Sequence, residues 1–427
     1  MTVALQSVAG YGKVRAEWEV AKIPAVVFFQ EGPGLRQWQW TNAGMKVINV
    51  TNILGDGRID TANTRRFISL AEFNEKYRHF AVDDGDIVIA SSGNTYGKVG
   101  RISAKDLPVM MNTSVIRLRS ADKCRLDEDF LYAFLRSDLF RNQMEAFVTG
   151  SAQPNFGPSH LKQMVMPLPP LPVQLRIAGI LSAYDDLIKN NQRRIKILEE
   201  MAQSLYREWF VHFRFPGHDK VGMVPSPLGL IPQGWEVKKL GDLTTILSRG
   251  ISPTYDDEGG DSTVINQKCI RNQRLSLEPA RRQSKPIPQD KRIRFGDVLI
   301  NSTGVGTLGR VAQVYEDLDQ CTVDTHVTIV RPKADTDVDF FGCALLLKQE
   351  DFERLGIGAT GQTELSRAAI GEVKISIPPE SLQKRFGTLA HSMRTAANTL
   401  SKQTENLRRS RDLLLPRLLS GQVHLTC

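Results

Sequence analysis

The sequence predicts an α+β chain: two strand-rich domains, each followed by a long helix, with the two helices pairing as an antiparallel coiled coil. Three observations predict it. The first is an internal repeat, in which LPPLPVQLRI (Leu168 to Ile177) returns as IPPESLQKRF (Ile377 to Phe386), 209 residues later. Upstream, GDIVIASSGNTYGKVGR (Gly85 to Arg101) returns as GDVLINSTGVGTLGR (Gly296 to Arg310), with the offset drifting from 211 to 209 across a short gap. Two copies of one domain follow from a repeat of this length. The second observation is that both helical patterns carry the same heptad phase. The third is that short β-branched runs bounded by Gly, Asp and Pro precede each helix, among them KVINV, DIVIAS, SVIRLRS, STVIN, DVLINS and HVTIVRP.

In chain order, residues 1–167 form the first strand-rich domain and 168–215 the first helical spacer. Residues 216–232 are a linker, 233–376 the second strand-rich domain and 377–427 the second helical spacer. The spacing predicts one helix inside each domain, at Glu128 to Thr149 and at Val338 to Leu355. In the first spacer the heptad a positions are Ile177, Tyr184, Asn191, Leu198 and Leu205, flanked by Leu181, Ile188 and Ile195 at e and by Ile180, Leu187 and Met201 at d. In the second spacer they are Phe386, Met393, Leu400, Leu407 and Leu414. Two helices with matching seams can bury them against each other, and repeats related by a pseudo-dyad place those helices antiparallel. Asn191 at an a position either helps to fix the register or faces solvent. Pro216 and Gly217 end the first helix, and WEVKKLGDL (Trp235 to Leu243) opens the second domain. Pro416 lies in the last turns of the second helix, where it kinks the helix or ends it early.

With 41% hydrophobic and 24% charged residues, the chain has enough apolar content for ordinary cores and falls outside the disordered class. Its longest strongly apolar stretch, Phe340 to Leu347, is well short of the roughly 20 residues of a membrane helix, and no signal-peptide core opens it. A cytoplasmic protein is expected. Five scattered cysteines without a CxxC pair argue against a disulfide framework or a thiolate zinc site. The net charge of +8 favours a polyanionic partner.

Catalytic signals fail on their context. Gly304, Gly306 and Gly309 match G-x-G-x-x-G but precede a strand-like run, so no helix N-terminus meets a pyrophosphate. Gly93, Gly97 and Lys98 are one residue short of a P-loop, and Val99 replaces the metal-binding hydroxyl. Glu372 and Lys374 form an E-x-K of the kind nucleases use, but the other repeat has Gln163 and Val165 there. His212 and His218 have no third ligand at metal spacing, HExxH and GxSxG are absent, and so is the Asn/Asp-Pro-Pro-aromatic motif of amino-methyltransferases. The expectation is no catalytic residue and no metal ligand in this chain.

The polar residues suit duplex DNA. QKCIRNQR gathers Gln267, Lys268, Arg271, Asn272 and Arg274, residue types that contact adenine and guanine edges in the major groove. Arg281, Arg282, Lys285, Lys291, Arg292 and Arg294 add cations for phosphates. In the first domain Asn49, Asn52, Arg58, Arg65, Arg66, Lys76 and Arg78 stand in comparable places before the Gly-Asp strand. Thr95, Lys98 and Thr307, in the two Gly-rich loops, complete the candidate DNA-binding set. A solvated basic face is the plain alternative for any one of these residues.

The Gly-rich segments GSAQ ending at Gln153 and GATGQ ending at Gln362, the strand into Leu/Ile-Pro-Pro, the following Q-x-R and the long helix resemble the specificity subunit of type I restriction-modification enzymes. VINQKCIRN and QGWEVKKLGDL resemble the core of that family's target recognition domains. The likeness covers nearly the whole chain, with the stretch up to Trp40 matching least. It implies that each domain reads one half of a bipartite, asymmetric DNA site, and that the helices, about 40 residues or roughly 60 Å long, act as a spacer. It also implies two modification subunits that use S-adenosylmethionine to methylate adenine, and restriction subunits that use ATP and Mg2+, with none of these cofactors in this chain. Docking on the helices would account for apolar residues such as Trp209 and Phe210, for which a core role is the alternative. A specificity subunit of a related methylation or fused nuclease-methylase system, a duplicated protein-interaction scaffold and a lone nuclease remain as other readings.

Overall fold

The computed structural model describes residues 4–8, 12–93, 96–148, 156–356, 364–423 and 425. The chain forms two compact units, Met1–Lys189 with Glu405–Cys427, and Asn190–Thr404. The division falls inside both long helices, so each unit holds one strand-rich segment and a part of each helix.

The first unit is built on a four-stranded antiparallel sheet in the order Val27–Glu31, Val115–Ser120, Ile87–Ala90, Val99–Arg101. A three-stranded sheet runs Phe67–Ile68, Met45–Ile48, Val109–Met111, its last pair parallel. Glu19–Lys22 pairs with Val165–Leu168 just before the first long helix. The central IVIA strand is buried at every position, which is why its sequence is continuously apolar and does not alternate.

The second unit repeats all three sheets in the same order. Thr244–Arg249, Val327–Pro332, Val298–Asn301 and Val311–Gln313 form the four-stranded sheet. Arg281–Gln283, Ser262–Ile265 and Cys321–Val323 form the three-stranded one, again with a parallel last pair. Glu236–Lys239 pairs with Lys374–Ile377 before the second long helix. Trp18-Glu19-Val20 and Trp235-Glu236-Val237 therefore open equivalent strands, although loop insertions stretch their offset to 217.

Each predicted intradomain helix is two. Glu128–Leu135 breaks at Arg136, and Ser137 Oγ accepts from Phe140 N (3.3 Å) at the start of Asp138–Val148. Val338–Leu347 breaks at Lys348 before Gln349–Arg354. Capping side chains outcompete helix continuation at the first break.

The long helices span Leu171–Tyr206, extended by a wide turn to Val211, and Glu380–Leu419. The first thus stops before Pro216, and the second continues past Pro416. Within the second unit they run antiparallel, since Tyr206 packs on Phe386 while Ile195 packs with Ala397 and Leu400. Within the first unit Asp185 meets Arg411, and Ile177, Ala178 and Leu181 share a core with Leu418 and Leu419.

The buried stripe follows heptad positions a and e. Ile177, Leu181, Ile188, Asn191, Ile195 and Ala202 are buried on the first helix, as are Phe386, Ala390, Ala397, Leu400, Thr404 and Leu418 on the second. Tyr184, Leu198, Leu205, Met393, Leu407 and Leu414 are half-buried. Leu187 and Met201, at d, are exposed at 51% and 48%. Asn191 is inside, at 7% exposure, so the solvated reading is overturned. Trp209 and Phe210 are core residues packed with Phe386 and Trp235.

Gln174 and Gln383, 209 residues apart, anchor the two helix starts. Buried Gln174 accepts from Asp127 N (2.9 Å) and donates to the carbonyls of Pro169 and Arg125 (both 2.8 Å). Buried Gln383 accepts from Asp337 N (3.3 Å) and donates to Pro378 O (2.9 Å). Asp127 and Asp337 in turn N-cap the first intradomain helix of each unit. A second matched pair of positions carries opposite charge. Asp185 holds Arg136 (2.9 Å) and Arg411 (2.5 Å), whereas Arg394, one repeat later, lies 3.8 Å from Asp339, bonds Gln313 and stacks on Tyr315 at 4.4 Å.

Candidate nucleic-acid interface

The backbone frame around the predicted DNA-binding loops is the same in both units. Ser91 N donates to Ser114 O and Ser302 N to His326 O, both 2.8 Å. Phe156 N returns to Ser91 O (2.9 Å) as Leu365 N does to Ser302 O (2.8 Å). Gly97 N reaches Ala90 O and Gly309 N reaches Asn301 O, again both 2.8 Å. Asn112 N and Asp324 N bond Ile48 O and Ile265 O at 3.0 Å. These bonds make Lys98 the counterpart of Arg310, correcting the sequence alignment that set Arg101 against it, and Ser114 that of His326. Gln153 and Gln362, which precede Phe156 and Leu365, lie outside the described residues, as does Thr95.

In the second unit the strand Ser262–Ile265 ends in a turn capped by Asn266, which accepts from Lys268 N and donates to Pro279 O (both 2.8 Å). That turn sets Gln267 beside the Gly-rich loop, where its Oε1 accepts from Thr307 Oγ1 (3.2 Å) and its carbonyl from Asn301 Nδ2 (3.0 Å). Gly304 is required there: with φ at +106°, a Cβ would strike both Gln267 and Thr307. Close by, Thr303 Oγ1 bonds His326 Nδ1 (2.7 Å). Asp324 accepts from His326 N (2.9 Å), and burial pushes its carboxyl above the ordinary value. Gln267 and Thr307 are thus brought together, while Lys268 is exposed.

The other half of QKCIRNQR turns elsewhere. Arg271 to Arg274 form a hairpin tip, with Asn272 and Gln273 at φ +51° and +60°, the backbone of a tight two-residue turn. Gln273 bonds Leu346 O (2.9 Å) and Gln203 (2.7 Å), and Arg274 pairs with Glu199 through Nε at 2.6 Å. These two side chains fasten the hairpin to the first long helix, whereas Arg271 and Asn272 are exposed. Arg282 donates to Gly260 O (2.7 Å), and Arg281 pairs with Asp257 (2.7 Å) while lying over Tyr255 at 3.9 Å.

In the first unit Asn49 accepts from Asn112 Nδ2 (2.8 Å), and buried Asn52 donates to Asp60 O (2.6 Å) and Thr64 Oγ1 (2.9 Å). Both asparagines serve the turn itself. Arg58 pairs with Asp56 (2.7 Å), Arg65 is exposed, Arg66 lies over Trp40 at 5.3 Å, and Lys98 is half-buried in a cleft with Arg136 and Arg141. Glu372 is ion-paired to Lys239 at 2.8 Å. Among the described residues no group of three His, Cys, Asp or Glu could hold a metal ion, and no helix is long and apolar enough to cross a membrane.

The family model for the type I restriction modification DNA specificity domain matches twice, over residues 16–200 and 232–407. The chain belongs to the type I specificity family. Its first match opens two residues before Trp18, in agreement with the strand pairing that starts each unit. The chain is 25% identical over 312 residues to the type I restriction enzyme MjaIX specificity subunit of Methanocaldococcus jannaschii, covering 70% of this chain and 69% of that one. It is 22% identical over 433 residues to the putative MjaX specificity subunit of the same organism, covering 97% and 95%. In fold it is similar to the type I S subunit from M. genitalium, at a TM-score of 0.58 and 19% identity over 100% of both chains.

Sequence reasoning missed the anchoring glutamines, whose signal was the repeated Q-x-R. It also missed Tyr255, Thr303 and His326, which lie outside the basic runs that drew attention.

Proposed function

We propose that this chain is the DNA-reading subunit of a type I complex and that each unit reads one half of a bipartite, asymmetric duplex site. One observation carries the proposal: a duplicated hydrogen-bonded frame presents different side chains at matched loop positions. Where the second unit has Gln267, Lys268 and His326, the first has Val50, Thr51 and Ser114. Equal frames with unequal side chains suit two different half-sites, since base edges are distinguished by donor and acceptor patterns. The basic residues around each frame supply phosphate contacts that position without specifying.

In this reading the chain does no chemistry and works in the cytoplasm. Two modification subunits carry S-adenosylmethionine and methylate adenine, and restriction subunits use ATP and Mg2+. Exposed Leu175, Leu187, Ile197 and Met201 on the first long helix, and Leu389 and Leu413 on the second, support docking there. The test is co-expression with the neighbouring modification subunit in an unmethylated host, followed by long-read mapping of adenine methylation. One split motif with a fixed gap is expected. No motif, with a modification subunit known to be active with another reader, would overturn the proposal in favour of a scaffold. Inserting about one helical turn beside Asn191 and beside Leu400 together is expected to change the gap and leave both half-sites intact, as the same mapping would show.

A further inference from the structure

We propose that Arg281 and Arg66 are base-reading residues, each recognising a guanine in the half-site of its own unit; this rests on the DNA-reading function above. The two arginines are structural equivalents. Val264 faces Arg281 in the three-stranded sheet of the second unit, and Val47 N bonds Arg66 O (3.0 Å) in that of the first. The residues that follow them close the same bond, Asp256 N to Arg282 O (3.0 Å) and Thr41 N to Phe67 O (2.9 Å). This register makes Tyr255 the counterpart of Trp40. Each guanidinium lies over the aromatic ring one residue before that bond, at 3.9 Å on Tyr255 and 5.3 Å on Trp40. A stack kept in both copies, while the neighbouring residues differ, points to a guanidinium plane that must be held still.

In the second unit the plane is fixed further. Asp257 receives Arg281 Nε (3.1 Å) and Nη2 (2.7 Å), and its other oxygen accepts from Arg282 N (3.3 Å). The carboxylate thus occupies the Nε side of the fork. Among the described residues no acceptor is bonded to Nη1, so the Nη1/Nη2 end is open, and the side chain is 47% exposed. Two parallel N–H donors at that end match the O6 and N7 acceptors of guanine in the major groove, and adenine, with a donor at N6, does not fit them. The loop carrying Tyr255 and Asp257 leaves from Ile251, whose N bonds Val323 O (3.0 Å) on the strand that leads to His326. Arg281 therefore belongs to the same loop frame as His326 and Thr303. Asp257 and Tyr255 are positioning residues, and Arg281 touches the base.

The experiment uses the complex with its modification subunits and target duplexes in which each guanine is replaced in turn by 7-deazaguanine, which lacks N7. For the wild type, one such replacement in each half-site is expected to weaken binding about tenfold. Arg281→Ala should abolish the penalty in one half-site only, Arg66→Ala in the other, and Asp257→Asn should reduce the Arg281 penalty to roughly threefold with unchanged thermal unfolding. A half-site without guanine, or penalties that survive both alanine variants, overturns the assignment. So does a uniform loss of affinity on every duplex together with a salt slope lowered by about one, the mark of a phosphate contact. If the wild-type complex binds target and scrambled duplexes equally, the DNA-reading function falls as well. Discrimination by the wild type with penalties unchanged in the variants removes only the arginine assignment.

Discussion

The two units use the same internal bonds with unequal redundancy, and the inequality separates what each copy must keep from what it can change. The buried Gly-Asp carboxylate shows it well. Asp297 holds Arg331 through two bonds of 2.7 Å, and Arg331 has one further partner, Arg292 O at 2.7 Å. Its counterpart Asp86 is shared by two arginines: Arg119, which takes the place of Arg331 in the strand, at 3.7 Å, and Arg117 at 3.5 Å, which also reaches Ala81 O and Gln30 Oε1 at 2.6 Å and His79 O at 3.4 Å. Residues that close the frame recur in both copies. Residues at the loop tips do not, and the two classes should respond differently to substitution.

The largest effect is expected at the carboxylates. Asp297→Ala leaves Arg331 buried with most of its compensation gone and should cost about 3–5 kcal/mol, whereas Asp86→Ala should cost about 2 kcal/mol because Arg117 keeps three acceptors and Arg119 is partly exposed to water. Hydrogen exchange resolved by unit would check the order, and a reversed order would break the comparison. Next come the helix anchors. Gln174→Ala strands three polar partners and should cost about 3 kcal/mol; Gln383→Ala strands two, one already at 3.3 Å, and should cost about 1–2 kcal/mol by urea denaturation.

A smaller, pH-dependent effect is expected at Asp185. Burial pushes its carboxyl up, but Arg136 and Arg411 outweigh that and hold it below the ordinary value of 3.8. A folded value below the unfolded one means that the contribution is complete above about pH 4 and is lost as the pH falls through the folded value. Asp185→Asn should cost about 2 kcal/mol at neutral pH, and the gap to the wild type should close on acidification below about pH 4, measured by denaturation at a series of pH values. The smallest effect on stability belongs to the loops. His326→Ser, which installs the first unit's residue, should change stability by less than about 0.5 kcal/mol yet alter the methylated motif in one half-site only.

Much of this fold was legible in the sequence because repetition is a strong signal: the 209-residue offset, the heptad phase and the helix-opening Pro-Pro are all read directly. The seam was legible in period and less so in face. Leu187 and Met201 continue an apolar d row, but three-to-four spacing serves a/e as well as a/d, and only the partner helix decides between them. Trp18-Glu19-Val20 repeats in plain view, yet insertions shifted its offset and hid it. The candidate interface was legible in composition only. Asn52 and Arg274 have the chemistry of base readers, but a turn claims the first and Glu199 the second, because side-chain direction is set by tertiary pairing. Tyr255 could have been found beside Arg281 only by knowing which strand its loop follows.

The opposite charges of Asp185 and Arg394 bear on how a duplicated chain avoids assembling wrongly. Two similar helices and two similar domains allow a mispaired state in which each helix seats on the other's domain, a recurrent failure of repeated architectures. In that state Asp185 would meet Asp339, and Arg394 would meet Arg136, setting like charges together at both seats. The correct seating pairs unlike charges at both. The buried rows themselves already differ in shape, with Ile177 against Phe386 and Leu181 against Ala390, and the opposite charges at these four side chains would add an electrostatic penalty to the exchanged topology.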